Sequence, residues 1–160
     1  SFAREIEKAV RGITLAKQES DLFRFAQSED LHLSKNQILK DLYNLLNSRE
    51  MKEWILHATG IKADGQIDSS VFLYGPADYL LPHDDTLEKR KVAYTFHLST
   101  LSPSKGGALE FFKGNDEATS IPPKFNTLIL FGVKEGISVH QVGEVMDAER
   151  WSVSGWFNDQ

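Results

Sequence analysis

Three side chains in the second half of the chain have the types and spacing of a transition-metal site. His83 and Asp85 are separated by one residue in YLLPHDDTLEKRK, and His140 follows in GISVHQVGEV. Residues i and i+2 of a strand point to the same side, so one strand end can supply both His83 and Asp85. Two neutral imidazoles and one carboxylate on one face form the ligand set of non-haem Fe(II) sites, which leaves coordination positions open. We therefore predict that His83, Asp85 and His140, called the metal triad below, bind iron.

An arginine ten residues after His140 extends this interpretation from the metal to a co-substrate. A dicarboxylate such as 2-oxoglutarate would chelate iron through its keto and C1 carboxylate oxygens, so its far carboxylate needs a separate partner. A guanidinium suits this role because it is always charged and carries paired donors. Arg150 opens the last apolar stretch, RWSVSGWF, and Ser152 shares its strand face. We predict that Arg150 and Ser152 bind the far carboxylate.

Several neighbouring residues allow both a functional and a structural interpretation. Asp84 points away from Asp85 in an extended chain, so we expect it to orient substrate or to form a turn or cap, not to bind metal. The basic run Lys89–Lys91 either contacts a substrate or nearby RNA, or is a solvated turn. Trp151 and Trp156 either wall the pocket or pack within a sheet. For the triad too, the alternative that each residue serves an unrelated salt bridge or turn stays open at this point.

The elements that must position these residues fall into two parts, of which the first, about residues 1–62, is predicted to be helical. Apolar residues recur at helical spacing in SKNQILKDLYNLLNS, which opens with Ser34 and a glutamine at the third following position, as in a capping box. Asn47 repeats this start signal, and Gly60 is expected to end the second helix. This part is predicted to support the rest of the fold.

The second part, about residues 66–158, has the pattern of short strands separated by Gly and Pro turns. VAYTFHLS alternates large apolar and smaller or polar residues, and GALEFF, NTLILFGV and RWSVSGWF have a similar strand character. Regular turns between short strands favour a sandwich or barrel over alternating strands and helices. We predict a mainly β fold in one domain, residues 1–160, with a double-stranded β-helix (jelly-roll) core supported by N-terminal helices.

Amino-acid composition and net charge disfavour several classes of function. The 160 residues carry a formal net charge of −5, which disfavours nucleic-acid binding through phosphate neutralisation, and we expect no direct nucleic-acid contact. The sequence has no cysteine, which excludes disulfides, thiol nucleophiles and thiolate metal sites, and fits a cytoplasmic or nuclear location. No stretch approaches the roughly 18 apolar residues of a membrane span, so we expect no membrane partner. Because the chain starts at Ser1 without a methionine, we expect it to be processed or trimmed.

Several motifs taken together resemble one family. HDDTLEKRKVAYTFHLS, GGALEFF, NTLILFGV, SVHQVGEV and RWSVSGWF resemble the catalytic domain of the 2-oxoglutarate- and Fe(II)-dependent prolyl hydroxylases. Among these enzymes, the chain is most similar to the ribosomal prolyl 3-hydroxylases, also called the termination-and-polyadenylation protein family. SDLFRFAQSEDL in the N-terminal half resembles that group as well. The resemblance extends over nearly all of the chain from about residue 15.

The resemblance implies roles for individual residues. The metal triad would bind Fe(II), and Arg150 would hold the far carboxylate of 2-oxoglutarate. Tyr74, in FLYGP, would be a second contact to this co-substrate. His97 occupies a position where the family usually has a tyrosine that reaches the same carboxylate. A histidine there can still donate a hydrogen bond, but its charge depends on pH.

The resemblance also implies an activity. With Fe(II), 2-oxoglutarate and O2, and with ascorbate as a reductant, the protein would hydroxylate a prolyl residue of a protein substrate, namely a small-subunit ribosomal protein. One alternative is an oxygenase that acts on a small molecule or another side chain. Another is a non-catalytic jelly-roll module with a structural metal, against which Arg150 and the open coordination positions argue.

The length of the chain differs from that of the family. Family members usually continue into a second double-stranded β-helix domain, whereas this chain stops at SGWFNDQ. We therefore expect either the catalytic domain of a longer protein or a single-domain relative.

Overall fold

The structure is a computed structural model, and it describes residues 1–87, 89–114 and 117–160. In these ranges, three helices accompany an antiparallel sheet: α1 Phe2–Val10, α2 Gln37–Leu46 and α3 Arg49–Thr59. The ten strands of the same ranges are β1 Ala16–Glu19, β2 Phe23–Gln27, β3 Asp68–Tyr74, β4 Tyr79–His83, β5 Arg90–His97, β6 Leu109–Lys113, β7 Glu117–Ile121, β8 Thr127–Gly132, β9 His140–Val142 and β10 Arg150–Asn158. No helix in the described part of the chain is both long and apolar enough to cross a membrane.

The strand order confirms the predicted jelly-roll. The sheet runs β7-β6-β9-β4-β2-β3-β10-β5-β8, and β1 pairs with β2 beside this path. The last strand, β10, lies between β3 and β5, and β9 lies between β4 and β6, so strands distant in sequence are neighbours. This interleaving places Arg150 opposite Tyr74, and Ser152 opposite His97. It also pairs β4 with β9, which carry the two histidines of the triad.

The helices cover one face of the curled sheet and form the larger core with it. Fully buried apolar residues from all three helices meet β3 and β10 in one cluster, which includes Val10, Leu39, Ile55, Val71 and Val153. Burying a side chain of this size contributes about 1.5–3 kcal/mol relative to leaving it in water. The amphipathic helices are therefore held by packing on the strands that carry the candidate co-substrate residues.

Strand β10 separates this core from the interior of the sheet. Trp151, Val153 and Phe157 face the helix side and belong to the larger core. Arg150, Ser152, Ser154 and Trp156 line an internal cavity. Successive side chains of a strand point to opposite faces, so a single strand supplies both the packing and the polar interior.

One part of the segment predicted to be helical is a β-hairpin instead. Residues 16–27 form β1 and β2, which pair with each other, and β2 also joins β3 and β4. The prediction was wrong here because Phe23 and Phe25 alternate with polar residues at a period of two, which is strand spacing. Phe25 packs inside the sheet, with its ring 5.3 Å from that of Tyr74.

The predicted helix starts are also displaced. Helix α2 is capped by Asn36, whose side chain accepts a backbone N–H of the first turn, and not by Ser34. Helix α3 is capped by Ser48 in the same way, and not by Asn47. In both cases a neighbouring residue with a short polar side chain takes the extended conformation that a cap requires. The predicted end at Gly60 is confirmed, with φ +72° in the left-handed region.

Candidate metal centre and its cavity

The three residues of the metal triad meet at one place. His83 ends β4, His140 begins β9, and the two face each other in the pairing of these strands. One ligand atom from each triad member lies within 4.8 Å of the other two. The Nε2 atoms of His83 and His140 lie 3.1 Å and 3.3 Å from the carboxylate oxygens of Asp85. This donor set of two imidazoles and one carboxylate fits Fe(II).

Backbone carbonyls orient both imidazoles toward this point. The Nδ1 atom of His83 lies 2.9 Å from the carbonyl oxygen of Leu81, and that of His140 lies 2.7 Å from the carbonyl oxygen of Ser138. A carbonyl only accepts hydrogen bonds, so Nδ1 is the donor in each ring, and Nε2 is the atom that faces Asp85. A hydrogen bond of this kind on the far ring nitrogen is typical of metal-binding histidines and fixes the plane of the ring.

Asp85 reaches the site by a route that the sequence reasoning did not anticipate. Strand β4 ends at His83, so strand alternation does not place Asp85 beside it. The Asp85 backbone turns instead through a left-handed conformation, with φ +61°, which costs a non-glycine residue about 1–3 kcal/mol. Burial would raise the pKa of its carboxyl, but hydrogen bonds from His140 and His83 hold the pKa well below its ordinary value. Asp85 is therefore an anion at physiological pH, as a metal ligand must be.

Asp84 faces away from the triad. Its two carboxylate oxygens accept the backbone N–H groups of Thr86, at 3.1 Å, and of Gly136, at 3.0 Å. It is not part of the candidate metal group among the described residues. Its hydrogen bonds are those of a turn residue, and the contact with Gly136 reaches a distant segment.

A cavity of about 480 Å³ lies inside the curled sheet next to the triad. Its volume is in the range of small-molecule pockets, about 300–1,000 Å³. Apolar groups contribute most of its wall. The polar residues that line it are the triad, Gln27, Tyr74, Arg90, Tyr94, Thr95, Arg150, Ser152 and Ser154.

Arg150 is a buried charge that has no carboxylate partner in the described ranges. Its exposed fraction is 2%, and its Nε atom has no hydrogen-bond partner among the described residues. Its Nη1 atom lies 3.4 Å from the Oγ atom of Ser152, and its guanidinium lies 5.1 Å from the ring centre of Tyr74. A buried charge without a counterion costs several kcal/mol. The arrangement therefore fits an anionic group of a ligand in the cavity.

The other two predicted co-substrate residues lie beside Arg150 but differ in their access to the cavity. Tyr74 lines it, and burial raises the pKa of its phenol, which stays protonated and able to donate. His97 lies opposite Ser152 and is fully buried, with neither ring nitrogen bonded within the described ranges. Burial and then the charge of Arg150 lower the pKa of His97 to about 3, so its ring is neutral. Among the described residues, His97 is not part of the cavity wall.

Arg90 and Trp156, for which the sequence allowed both a functional and a structural interpretation, lie at the site. The guanidinium of Arg90 lies 3.3 Å from the ring centre of Trp156, and both residues line the cavity. The Nη1 atom of Arg90 is also 3.4 Å from the backbone oxygen of Asp85 and 3.9 Å from a carboxylate oxygen. Of the two tryptophans considered from the sequence, Trp156 walls the pocket and Trp151 packs in the helix-side core. Strand parity was a usable signal, because Trp156 shares the parity of Arg150.

Comparisons with known proteins agree with this geometry. The sequence model of the 2OG-Fe(II) oxygenase superfamily matches residues 69–158, which include the whole triad. The chain is 34% identical to prolyl 3-hydroxylase OGFOD1 of Xenopus laevis, over 98% of this chain and 32% of that protein. It is 31% identical to prolyl 3-hydroxylase sudestada1 of Drosophila melanogaster, over 96% of this chain and 31% of that protein. The chain thus spans about a third of the length of these curated relatives.

A solved structure shares the fold. The crystal structure of a Pseudomonas putida prolyl-4-hydroxylase superposes with a TM-score of 0.82 at 18% identity, over 99% of this chain and 86% of that one. This likeness concerns the fold alone, whereas the sequence match covers more than half of the chain. On that match, the chain belongs to the 2OG-Fe(II) oxygenase superfamily.

Proposed function

We propose that this chain is an Fe(II)- and 2-oxoglutarate-dependent oxygenase that hydroxylates a prolyl residue of a protein. One observation carries the proposal: two imidazoles and a carboxylate converge next to a cavity whose wall also holds a buried guanidinium without a carboxylate partner among the described residues. A metal and an anionic co-substrate are the two ligands that such a cavity fits. The names of the relatives, both prolyl 3-hydroxylases, support the prolyl substrate and the C3 position.

In this proposal His83, Asp85 and His140 hold Fe(II). Three protein ligands leave positions free for other molecules, which distinguishes a catalytic site from a structural one. The iron, with 2-oxoglutarate and O2, supplies oxidising chemistry that no protein side chain can perform. The protein's own part is to fix the ligands, to position the co-substrate and the target residue, and to keep water out of an apolar cavity.

Arg150 is the proposed anchor for the far carboxylate of 2-oxoglutarate. Its permanent charge and its free Nε atom suit a carboxylate, and the hydroxyls of Ser152 and Tyr74 can donate to the same group. His97 is the cross-strand partner of Ser152 on β5, and both of its ring nitrogens lack a hydrogen-bond partner among the described residues. We propose that its neutral ring is a further donor to the anion or to Ser152.

The wall formed by Arg90 and Trp156 is the proposed contact for the target residue. An indole stacked with a guanidinium is flat and largely apolar, and the guanidinium edge can still donate to a peptide carbonyl. A prolyl ring is small and apolar and offers such a carbonyl. We propose a small-subunit ribosomal protein as the substrate, which the resemblance to ribosomal prolyl 3-hydroxylases supports.

Mass spectrometry tests the activity directly. The protein is incubated with Fe(II), 2-oxoglutarate and prolyl peptides from small-subunit ribosomal proteins, with proline-to-alanine peptides as the control. We expect one added oxygen atom on the prolyl peptides only, with succinate formed in step. Oxygen on a non-prolyl residue or on a small molecule would contradict the prolyl assignment. A protein that binds metal but forms no succinate under any condition would be a binding module.

Two further parts of the proposal concern conditions. We propose ascorbate as a reductant that maintains ferrous iron, with the resemblance as its support, and expect ascorbate to prolong turnover in the same assay. We also propose a cytoplasmic or nuclear location, with the cysteine-free sequence as its support. Cell fractionation that recovers the protein from a secretory compartment would contradict this location.

A further inference from the structure

The metal triad comes from two segments that are distant in sequence. His83 ends β4 and Asp85 lies in the loop after it, whereas His140 begins β9 after the turn 134–138. The pairing of β4 with β9 joins these segments at the strands, and Asp84 joins the loop to the turn. Asp84 accepts the backbone N–H of Gly136 with its carboxylate, at 3.0 Å, across 52 positions of sequence. The hydroxyl of Ser138 donates to the backbone oxygen of Asp84, also at 3.0 Å. Two hydrogen bonds therefore join the segments that carry the triad.

The carboxylate of Asp84 is shared between the two segments. One oxygen accepts the N–H of Thr86 in its own loop, at 3.1 Å, and the other accepts that of Gly136. Gly136 has φ +64°, in the left-handed region that favours glycine, and its N–H is thus presented by a turn that few other residues adopt. The hydrogen bonds lower the pKa of the Asp84 carboxyl, with that of Gly136 as the largest cause.

These contacts continue to the metal-facing imidazole of His140. The backbone oxygen of Ser138 accepts the Nδ1–H of His140 at 2.7 Å, which sets the plane of that ring. The hydroxyl of the same residue bonds to Asp84 and to Lys134, which holds the turn in one shape. Any displacement of this turn relative to the loop after β4 would therefore rotate or shift the His140 ring relative to Asp85.

We propose that Asp84 is a positioning residue that latches the two metal-binding segments together, so that the triad is assembled before the metal binds. The inference rests on the proposed function in one respect, namely that the triad is a metal site. In this role Asp84 contacts neither the metal nor the substrate. Residues that orient metal ligands in this way typically change metal affinity by about 10–100-fold when they are replaced.

The test compares Mn(II) affinity, measured by EPR, among matched variants. Asp84→Ala removes both carboxylate bonds, and Ser138→Ala removes the hydroxyl bond but keeps the carbonyl that orients His140. Asp30→Ala is the control, because the Asp30 carboxylate also joins two backbone segments, at His32 N and Ser69 N, 3.0 Å and 2.9 Å away. Those segments carry no member of the triad.

We expect Asp84→Ala to weaken Mn(II) binding by about 10–100-fold. Ser138→Ala should weaken it several-fold, and Asp84→Asn should lie between wild type and Asp84→Ala, because an amide has one acceptor oxygen for two N–H donors. Asp30→Ala should lower Tm but leave the affinity unchanged. A purely structural role for Asp84 would instead lower Tm without changing the Mn(II) affinity of the folded protein.

Two results would overturn the proposal in distinguishable ways. If wild type binds Mn(II) and both Asp84→Ala and Ser138→Ala bind it equally well, the latch is wrong and the proposed function stands. If wild type itself binds neither Mn(II) nor Fe(II), the proposed function fails, and the latch fails with it. Should Asp84→Ala not fold, Ser138→Ala alone decides, because it removes a single hydroxyl and leaves the backbone contacts in place.

Discussion

At the metal triad each imidazole has a backbone carbonyl on its far nitrogen, whereas Arg150 Nε and both ring nitrogens of His97 lack partners among the described residues. The triad region on β4 and β9 is hydrogen-bonded into its working geometry. The arginine region on β3, β10 and β5 leaves three buried nitrogen atoms without a hydrogen-bond partner in the described part of the chain. Buried polar groups are normally paired, so the unsatisfied region is the one whose structure a ligand completes. We therefore expect the triad region to set the geometry of the bound metal, and the arginine region to provide binding affinity for a ligand.

The largest effect in this comparison should come from the triad itself. His140→Ala or Asp85→Ala removes one of three metal ligands, and we expect turnover to fall below detection and Mn(II) affinity to fall by more than the roughly 100-fold upper limit of residues that only orient ligands. Succinate formation and EPR measure the two effects. A variant that kept wild-type turnover would show that the metal is held elsewhere.

Replacement of Arg150 should have the next largest effect. It should weaken ligand binding, but it should not destabilise the ligand-free protein. Arg150→Met removes the charge that we propose binds the co-substrate, so we expect binding of 2-oxoglutarate to weaken by about 2–5 kcal/mol, measured by calorimetry with Mn(II) present. Without the co-substrate, the same change replaces an unpaired buried charge by an apolar side chain, and Tm should stay equal or rise. Unchanged affinity for 2-oxoglutarate would remove Arg150 from the anchor role.

The buried ring of His97 should make stability depend on pH. Its pKa is lowered to about 3 by burial and by Arg150, whereas an unfolded histidine has a pKa near 6.5. Between these values the unfolded state binds a proton that the folded state does not, so the free energy of unfolding falls as pH falls from about 6.5 toward 3. At pH 5 the loss from this residue is about 2 kcal/mol, since each pKa unit corresponds to about 1.4 kcal/mol.

Urea denaturation of wild type and His97→Phe at pH 7 and pH 5 measures this contribution. The phenylalanine variant cannot titrate at this position, so it should lose less stability between the two pH values. Equal losses in both proteins would mean that the folded protein tolerates a charged ring at position 97.

The smallest effect should come from the stacked side chains of Arg90 and Trp156, which also line the cavity. Arg90→Met removes a cation–π contact with Trp156 and the weak contact with the backbone of Asp85, so we expect a loss of about 0.5–2 kcal/mol in the free energy of unfolding. Mn(II) affinity should change by less than in Asp84→Ala. A larger change would assign the positioning of Asp85 to Arg90 rather than to Asp84.

The two regions also differ in how far the sequence predicted them. Residue type and order singled out His83, Asp85 and His140 as candidate metal ligands, and strand parity placed Ser152 on the same face as Arg150. The left-handed backbone at Asp85 could not be predicted in this way, because it depends on contacts that hold the loop after β4. These contacts join residues that are far apart in the sequence, and their partners become visible only in the fold.

The same limit appears in the fold. Residues 16–27 were wrongly included in a helical part, although Phe23 and Phe25 alternate as in a strand, because the neighbouring helices dominated the pattern. Asp84 was expected to orient substrate or to form a turn or cap, and no sequence signal indicated that its carboxylate would reach Gly136. The jelly-roll itself was predicted because strand and turn signals repeat along the whole second part of the chain.

Strand β10 contributes Trp151, Val153 and Phe157 to the helix-side core and Arg150, Ser152, Ser154 and Trp156 to the cavity. We therefore expect two series of positions to alternate along this strand, one at which substitutions affect folding and one at which they affect ligand binding. Changes at positions such as Val153 would reduce the amount of folded protein, and changes at positions such as Ser152 would leave the protein folded but unable to bind its ligand. Insertion of a single residue in the middle of this strand would exchange the two series downstream, so that neither an intact core nor an intact pocket could form.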